Sequence, residues 1–365
     1  MPFVLPPYRP PDFGKPPLAE APFAVLRKAP RAGVLPEGFH VTSIFPEYFH
    51  LEKSGWLLLS ESRMDCAVVL TEDASIEARE FRHVAKGDLV ACGRRENGED
   101  GILVHANGFA LPDGPREKFA FRTRVSRETS FSADYDELYE LLNYERSNGF
   151  ILWVLGPAVA FDRDARDAMA RLIDNGFVSG LLAGNGLAVH DLEGTLYGTA
   201  LGREIYSKQA APLGHYNHLD TINRVRAAGS IAAVVAQEPV HGGIIHAALR
   251  NSVPYVLAGS IRDDGPLPDV VSDVGQAQDS MRQLTRRATT VIALATQLHT
   301  IATGNMVPSY RVTEDGLVRP VYFHAVDMSE FVVNKLANRG SLTARTILTN
   351  AQDFLVTLAH GLLPG

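Results

Sequence analysis

The sequence predicts an α/β fold: a doubly wound, mostly parallel sheet, preceded by a smaller β-rich domain and a proline-rich arm. Three observations carry this. From about residue 131 short apolar runs alternate with segments of helical periodicity. Between about 51 and 130 short apolar runs alternate instead with charge and glycine, and eleven of the 22 prolines fall in the first 50 residues. Strands separated by helices imply parallel pairing with crossovers on both faces. A chain of 365 residues is long enough for roughly two domains, each burying its own core.

Residues 1–50 cannot be mostly helix or central strand, because proline lacks the amide donor and restricts its neighbour. They are expected to wrap over the body as an extended arm. In 51–130 the runs GWLLLSE, DCAVVLTE, KGDLVACG, GILVHANG and FAFRTRV have the length and spacing of short strands. The third segment, 131–365, opens with a helix that Ser132 can cap, with Leu138, Leu141 and Leu142 on its apolar face and Gly149 at its end. FILWVLG (150–156) then suits a strand buried on both faces. A helix with Ala165, Met169, Leu172 and Ile173 on one side stops at Gly176. The alternation continues through FVSGLLAG (177–184), helices to about 251, PYVLAG (254–259) and a helix near 273–287. TTVIALA (289–295), a further helix and PVYFHAVD (320–327) follow, with two closing helices expected over about 329–338 and 343–361.

Composition narrows the function. A net charge of −7 marks no surface for nucleic acid or anionic membrane. Cys66 and Cys92 are too few for a disulfide framework or a cysteine zinc site. The start, MPFVLPPYRP, lacks the basic-then-apolar pattern of a secretory signal, and TTVIALATQLHTIATG is broken by Gln297 and His299 before it could span a bilayer. A cytoplasmic globule acting on a small molecule is the expectation.

In open parallel sheets ligands lie outside the carboxyl ends of the strands. The first predicted strand is followed by Gly156-Pro157, the second by AGNGLAVHDLE (183–193), the third by GSIRDDGPLPD (259–269). The fourth leads into Ala295-Thr296, with its helix ending near Gly304-Asn305, and the fifth ends at Asp327. Every unusual loop therefore falls on one edge. Gly184 and Gly186 would let backbone amides approach a pyrophosphate at a helix start, although Val189 spoils a GxGxxG fingerprint and no P-loop is present. Asp327 suits ribose hydroxyls, or equally a helix cap for Ser329 onward. His190 with Asp191 suits proton transfer and the holding of an amine. Asp263, Asp264 and Asp269, in a loop stiffened by Pro266 and Pro268, suit an ammonium group or a metal ion, or equally a solvated turn. His215 and His218 share a helical face, with His241 and His246 further on, but no ligand pattern completes them and no metal is expected.

Several long stretches are distinctive: LLAGNGLAVHDLEGTLYGTALG (181–202), GHYNHLDTINRVRAAGSI (214–231), VPYVLAGSIRDDGPLPDV (253–270), ATQLHTIATGNMVPS (295–309) and AVDMSEFVVNKLANRGS (325–341). Together with VLPEGFHVTS (34–43) and MDCAVV (64–69), they resemble the archaeal-type ornithine cyclodeaminase family, the LOR/SDH-region family. That module also forms the carboxyl-terminal part of the cyanobacterial arginine dihydrolase/ornithine cyclodeaminase. More remotely, VPYVLAGSIRDDGPLPDV resembles a loop of deoxyhypusine synthase, which implies the NAD-binding fold of that enzyme. The resemblance implies NAD, held by Gly156, Pro157, Ala183, Gly184, Asn185, Gly186, Asp264, Gly265, Thr296, Asn305, Asp327 and Met328. It implies a hydride borrowed from the substrate Cα, ring closure with loss of ammonia, and return of the hydride to give proline. For such chemistry His190 and Asp191 suit the proton transfers. Arg262, then Arg224, suits the substrate carboxylate, and Asp263 or Asp269 the distal ammonium. A homo-oligomer is implied as well.

Three departures from the family pattern point to a substrate other than ornithine. Phe161, Asp162 and Arg163 replace His-Thr-Gly, Tyr216 replaces an arginine and His246 a tyrosine. An amine-group transferase of the deoxyhypusine synthase type, or an NAD-binding sensor, are the alternatives. Lys335 is the only lysine in the last 150 residues, which counts against the transferase.

Overall fold

The computed structural model describes residues 3–109, 131–237, 242–329 and 342–364, and side chains in the second stretch from residue 135. The amino-terminal module is built from β1 (Val25–Lys28), β2 (Glu47–Leu51), β3 (Gly55–Leu58), β4 (Glu61–Ser62), β5 (Ala67–Leu70), β6 (Ile76–Arg79), β7 (Leu89–Cys92) and β8 (Ile102–Val104). Two small sheets, in the orders β1-β7-β5-β6 and β3-β2-β8, pair their strands antiparallel. The proline-rich segment is woven into them rather than laid over them: Val25 pairs with Cys92, and β2 runs through residue 50. Residues 23–29 contain no proline, so Val25–Lys28 keeps the amide donors that a strand needs. The predicted strand FAFRTRV lies outside the described residues.

The carboxyl-terminal body begins with α1 (Phe131–Asn148), β9 (Ile151–Leu155), α2 (Arg163–Asp174), β10 (Gly180–Gly184) and α3 (Asn185–Tyr197). A small hairpin, β11 (Thr199–Ala200) and β12 (Arg203–Glu204), precedes α4 (Gly214–Ala228), α5 (Ile231–Gln237) and α6 (Ile244–Arg250). Next come β13 (Tyr255–Ala258), β14 (Val270–Val271), α7 (Val274–Thr285), β15 (Thr290–Leu294) and α8 (Gln297–Met306). The chain closes with β16 (Tyr310–Val312) and β17 (Val318–Pro320), which join β4 in an antiparallel sheet with the amino-terminal module, and then β18 (Tyr322–Asp327), β19 (Thr343–Leu348) and α9 (Ala351–Leu362).

Seven of these strands form one sheet in the order β14-β13-β10-β9-β15-β18-β19, every neighbour parallel. The chain winds outward from β9 in one direction through β10, β13 and β14, then restarts at β15 and winds the other way. The strand order therefore reverses between β9 and β15, which is where doubly wound sheets open a crevice for ligands. Burial explains the apolar runs. Ile151, Trp153 and Leu155 point into one core layer and Leu152 and Val154 into the other, all five of them buried.

One predicted element is corrected. Residues 343–361 are not a single helix: Thr343–Leu348 is the edge strand β19, paired with β18 from Tyr322↔Thr343 to Asp327↔Leu348. Its β-branched Thr343 and Ile347 are buried while Arg345 between them is exposed, and Asn350 then caps α9 by accepting the Asp353 N–H at 2.8 Å. The helix expected over 329–338 lies outside the described residues, as do His241 and Lys335.

Candidate active site at the switch point

The crevice is framed by three strand ends. At the end of β9 the Gly156 N–H donates to the Leu294 carbonyl at 2.9 Å, and a Cβ on Gly156 would strike the Ala295 carbonyl. Only glycine lets the β9 and β15 loops approach this closely. At the end of β10, a Cβ on Gly184 would stand 3.0 Å from His299 Cε1, and one on Gly186 would stand 3.6 Å from Pro157 Cβ. The Leu267 N–H donates to Asn185 Oδ1 at 3.0 Å, tying the start of α3 to the loop after β13. Gly156, Pro157, Gly184, Asn185, Gly186 and Thr296 thus converge at the reversal point, with Ala183 in β10 just behind them.

The helix starts at this point share a feature. The short helical turn Pro157–Phe161, α3 and α8 are preceded by Gly156, Gly184 and Thr296, and none of the three receives a side-chain cap. Helix starts without a side-chain cap favour negative charge. His299 lies on α8 over Gly184. Burial holds its pKa below the ordinary value, with the carboxylate of Asp263 partly offsetting this.

Behind the crevice, α3 presents a buried polar cluster. His190 Nδ1 lies 3.0 Å from Glu193 Oε2, and both side chains are buried. Glu193 also accepts the Thr199 hydroxyl at 2.8 Å and the amides of Leu201 and Gly202 at 3.2 and 3.0 Å, so the turn of the β11–β12 hairpin is seated on it. Burial by itself would raise the Glu193 pKa. The bonds from His190, Gly202 and Thr199 outweigh it and hold the carboxyl below its ordinary range. The His218 ring lies 4.9 Å from that of His190, with Nδ1 3.9 Å from Glu193 Oε2. Burial and the neighbouring His190 lower the His218 pKa, with Glu193 opposing them. Phe161 stands edge-on to His190 with ring centroids 5.1 Å apart.

Asp191 is corrected. It was expected beside His190 at the chemistry, but consecutive residues on a helix diverge by about 100°. Its buried carboxylate instead takes Arg166 Nε at 2.9 Å and the amides of Ile244 and Ile245 at 3.0 and 2.8 Å, fixing the start of α6. Glu193, three residues beyond His190 on the same face, occupies the place intended for Asp191. Sequence reading missed Glu193 and His299; HxxE spacing within 190–193 was the available signal for the first.

The remaining expected residues divide. Asp263 accepts the Ser260 amide at 2.8 Å and faces His299, whereas Arg262 and Asp264 are exposed on the same loop. Gly265 has φ +78°, a turn conformation suited to glycine. Asp269 accepts the Ile231 amide at 2.9 Å and so starts α5, and Arg224 lies over the Tyr197 ring. Asp327 Oδ1 accepts the Ser329 amide at 2.8 Å, the capping alternative, and Met328 is exposed. Asn305 is not at the crevice. It lies at the far end of α8, about 13 Å along the axis from Thr296, with its carbonyl accepting Arg63. Tyr216 is exposed on α4, and Asp162 caps α2 through the Ala165 amide while holding Lys208 Nζ at 2.8 Å. Among the described residues His190, Glu193 and His218 form the one cluster with metal-ligand spacing, and it was not the combination considered from sequence. No helix among them is long and apolar enough to cross a membrane.

Comparison with known proteins agrees with this architecture. Residues 137–358 match the family described as arginine dihydrolase ArgZ-like, C-terminal, Rossmann fold. An ornithine cyclodeaminase of Methanocaldococcus jannaschii is 38% identical over 92% of this chain and 77% of its own. A crystal structure of a conserved LOR/SDH protein from Methanococcus maripaludis S2 superposes with a TM-score of 0.82 at 34% identity, over 93% of this chain and 98% of that one. The ternary complex of AgrE with ornithine and NAD+ superposes at 0.57 with 30% identity, over 94% of this chain and 46% of that one. With such identity over nine-tenths of its length and a family match across its parallel sheet, the chain belongs to the archaeal-type ornithine cyclodeaminase family.

Proposed function

We propose that the protein is an NAD-dependent enzyme of ornithine cyclodeaminase type, converting ornithine to proline and ammonia or acting in the same way on another amino or imino acid. The observation that carries the reading is the pairing of three uncapped helix starts at the switch point with the buried His190–Glu193 pair on α3. The uncapped starts of α3 and α8 fit a pyrophosphate, and Gly156, Gly184 and Gly186 leave room for it. NAD bound there supplies a hydride acceptor that later returns the same hydride.

The chain's own residues handle charge and protons. Glu193 holds His190 with Nδ1–H turned toward it, which leaves Nε2 as a base for a substrate amine. Asp263, facing His299 beside Gly184, is placed for a substrate ammonium, and Arg262 on the same exposed loop is a candidate for the carboxylate. Phe161 against His190 gives the pocket an apolar wall where the family pattern has histidine, and it is the residue through which another amino acid would be preferred. A homo-oligomer belongs to the same proposal, supported by the exposed Leu201, Leu213 and Leu219 around the hairpin and α4.

The test is ammonia and proline production from ornithine with NAD, alongside a panel of other amino acids. Proline with no net NADH is the expected result. Turnover of another substrate alone would move ornithine out of the reading and leave the site in place.

A further inference from the structure

Loss of ammonia during ring closure makes a demand that one base does not meet. When the distal nitrogen Nδ attacks the imine carbon, the Cα–Nδ bond forms and the imine π pair moves onto Nα. The cyclic diamine then carries its extra proton on Nδ, whereas Nα must be protonated before the Cα–Nα bond breaks and its electron pair leaves with ammonia. One proton has to cross between two nitrogens held on the same carbon.

Resting on the reading above, we propose that His218 is a second catalytic residue, working with His190 as a proton-exchanging pair governed by the single carboxylate of Glu193. Three observations point to it. The imidazole rings lie 4.9 Å apart and 30° from parallel, so they can serve neighbouring nitrogens of one substrate. Both turn Nδ1 toward Glu193 Oε2, at 3.0 Å for His190 and 3.9 Å for His218. The Nδ1 of His218 is a buried atom without a hydrogen-bond partner, and the side chain as a whole is 36% exposed. A proton on each Nδ1 faces the carboxylate, which leaves both Nε2 atoms as the working nitrogens. His190 and Glu193 are the charged or titratable groups that act on His218.

The protons balance. His218 Nε2 takes a proton from the substrate α-ammonium before the hydride leaves, and the distal ammonium gives one proton to solvent before its free amine attacks, offset by the proton that the released ammonia takes up from solvent. In the cyclic diamine, His190 Nε2 takes the excess proton from Nδ and His218 gives its own to Nα, which departs as ammonia. His190 returns its proton to the ring nitrogen once the hydride has come back, giving the proline ammonium.

The same three residues could be read as a metal site, since His and Glu in this number bind zinc. Glu193 speaks against it. Both of its oxygens already accept donors from Thr199, Gly202, Leu201 and His190, and coordination would strip bonds that seat the hairpin.

The experiment compares wild type with His218→Asn by stopped flow at pH 9, where solvent removes the α-ammonium proton. Wild type forming proline from ornithine sustains the underlying reading; its failure to do so breaks that reading whatever the variant does. His218→Asn is expected to form proline about 100-fold more slowly while NADH accumulates to about one equivalent per site. Proline formation at the wild-type rate would overturn the proposal. A second readout needs no turnover. In the protein without cofactor, 15N NMR should show Nδ1-protonated tautomers for both histidines, and His190→Asn should raise the pKa of His218. An Nε2–H tautomer at His218, or a stoichiometric metal ion lost in His218→Asn, would overturn it too.

Discussion

The helices that follow the outer strands of the sheet begin differently from those that follow its centre. After β14, Asp273 accepts the Gln276 amide at 2.8 Å, and after β19, Asn350 accepts the Asp353 amide at 2.8 Å. After the central strands β10 and β15 the corresponding positions are Gly184 and Thr296, and no side chain closes the helix; after β9 the same holds for the short turn that begins at Gly156, with Asp162 capping α2 beyond it. A glycine in place of a capping side chain forgoes only a few tenths of a kcal/mol. The contrast shows where the sequence has used its polar side chains for the fold and where it has left backbone donors open.

The largest test of that contrast concerns α6, whose start is closed from a distance by Asp191. Asp191→Ala leaves the buried Arg166 charge without its carboxylate and two buried amides without an acceptor, and should lower stability by about 3–5 kcal/mol in urea unfolding. Little change in unfolding would mean α6 is held otherwise. Next in size, Gly184→Asp puts a carboxylate at an open start. It should weaken NAD binding by about 10- to 100-fold in fluorescence titration, or about 1.4–2.7 kcal/mol. Undiminished affinity would remove the α3 start from the cofactor site. Asp273→Ala should cost about 1 kcal/mol of stability and leave NAD affinity unchanged, since that cap serves the fold alone.

The smallest effect is a pH dependence. The folded-state pKa of Glu193 is depressed, so the stability it adds is present above the ordinary carboxylate value of about 4.3 and is lost as pH falls through the folded value. The stability gap between wild type and Glu193→Gln should therefore narrow on acidification below about pH 4. A gap that persists unchanged would place the effect in packing, not in charge.

The central strands were legible because a parallel strand buried on both faces is a continuous apolar run, as FILWVLG and TTVIALA are. β19 was not, because TARTIL lies at an edge where half its side chains meet solvent and its pattern imitates a helix start. The site's location followed from glycine and proline at strand ends. Asp191 turns away from His190 toward Arg166 and the start of α6, because neighbours in sequence diverge on a helix and the partner of His190 lies three or four residues away. His218 stood out in sequence only as half of a pair with His215. Its neighbour His190 comes from another helix, and no spacing along the chain announces that.

Arg63 donates to the Asn305 carbonyl at 2.9 Å, so the amino-terminal module grips α8 at its carboxyl end while Thr296 and His299 meet the crevice at the other. The module and the crevice therefore share one helix, and removing the module would take away the partner that Arg63 gives to its distal end.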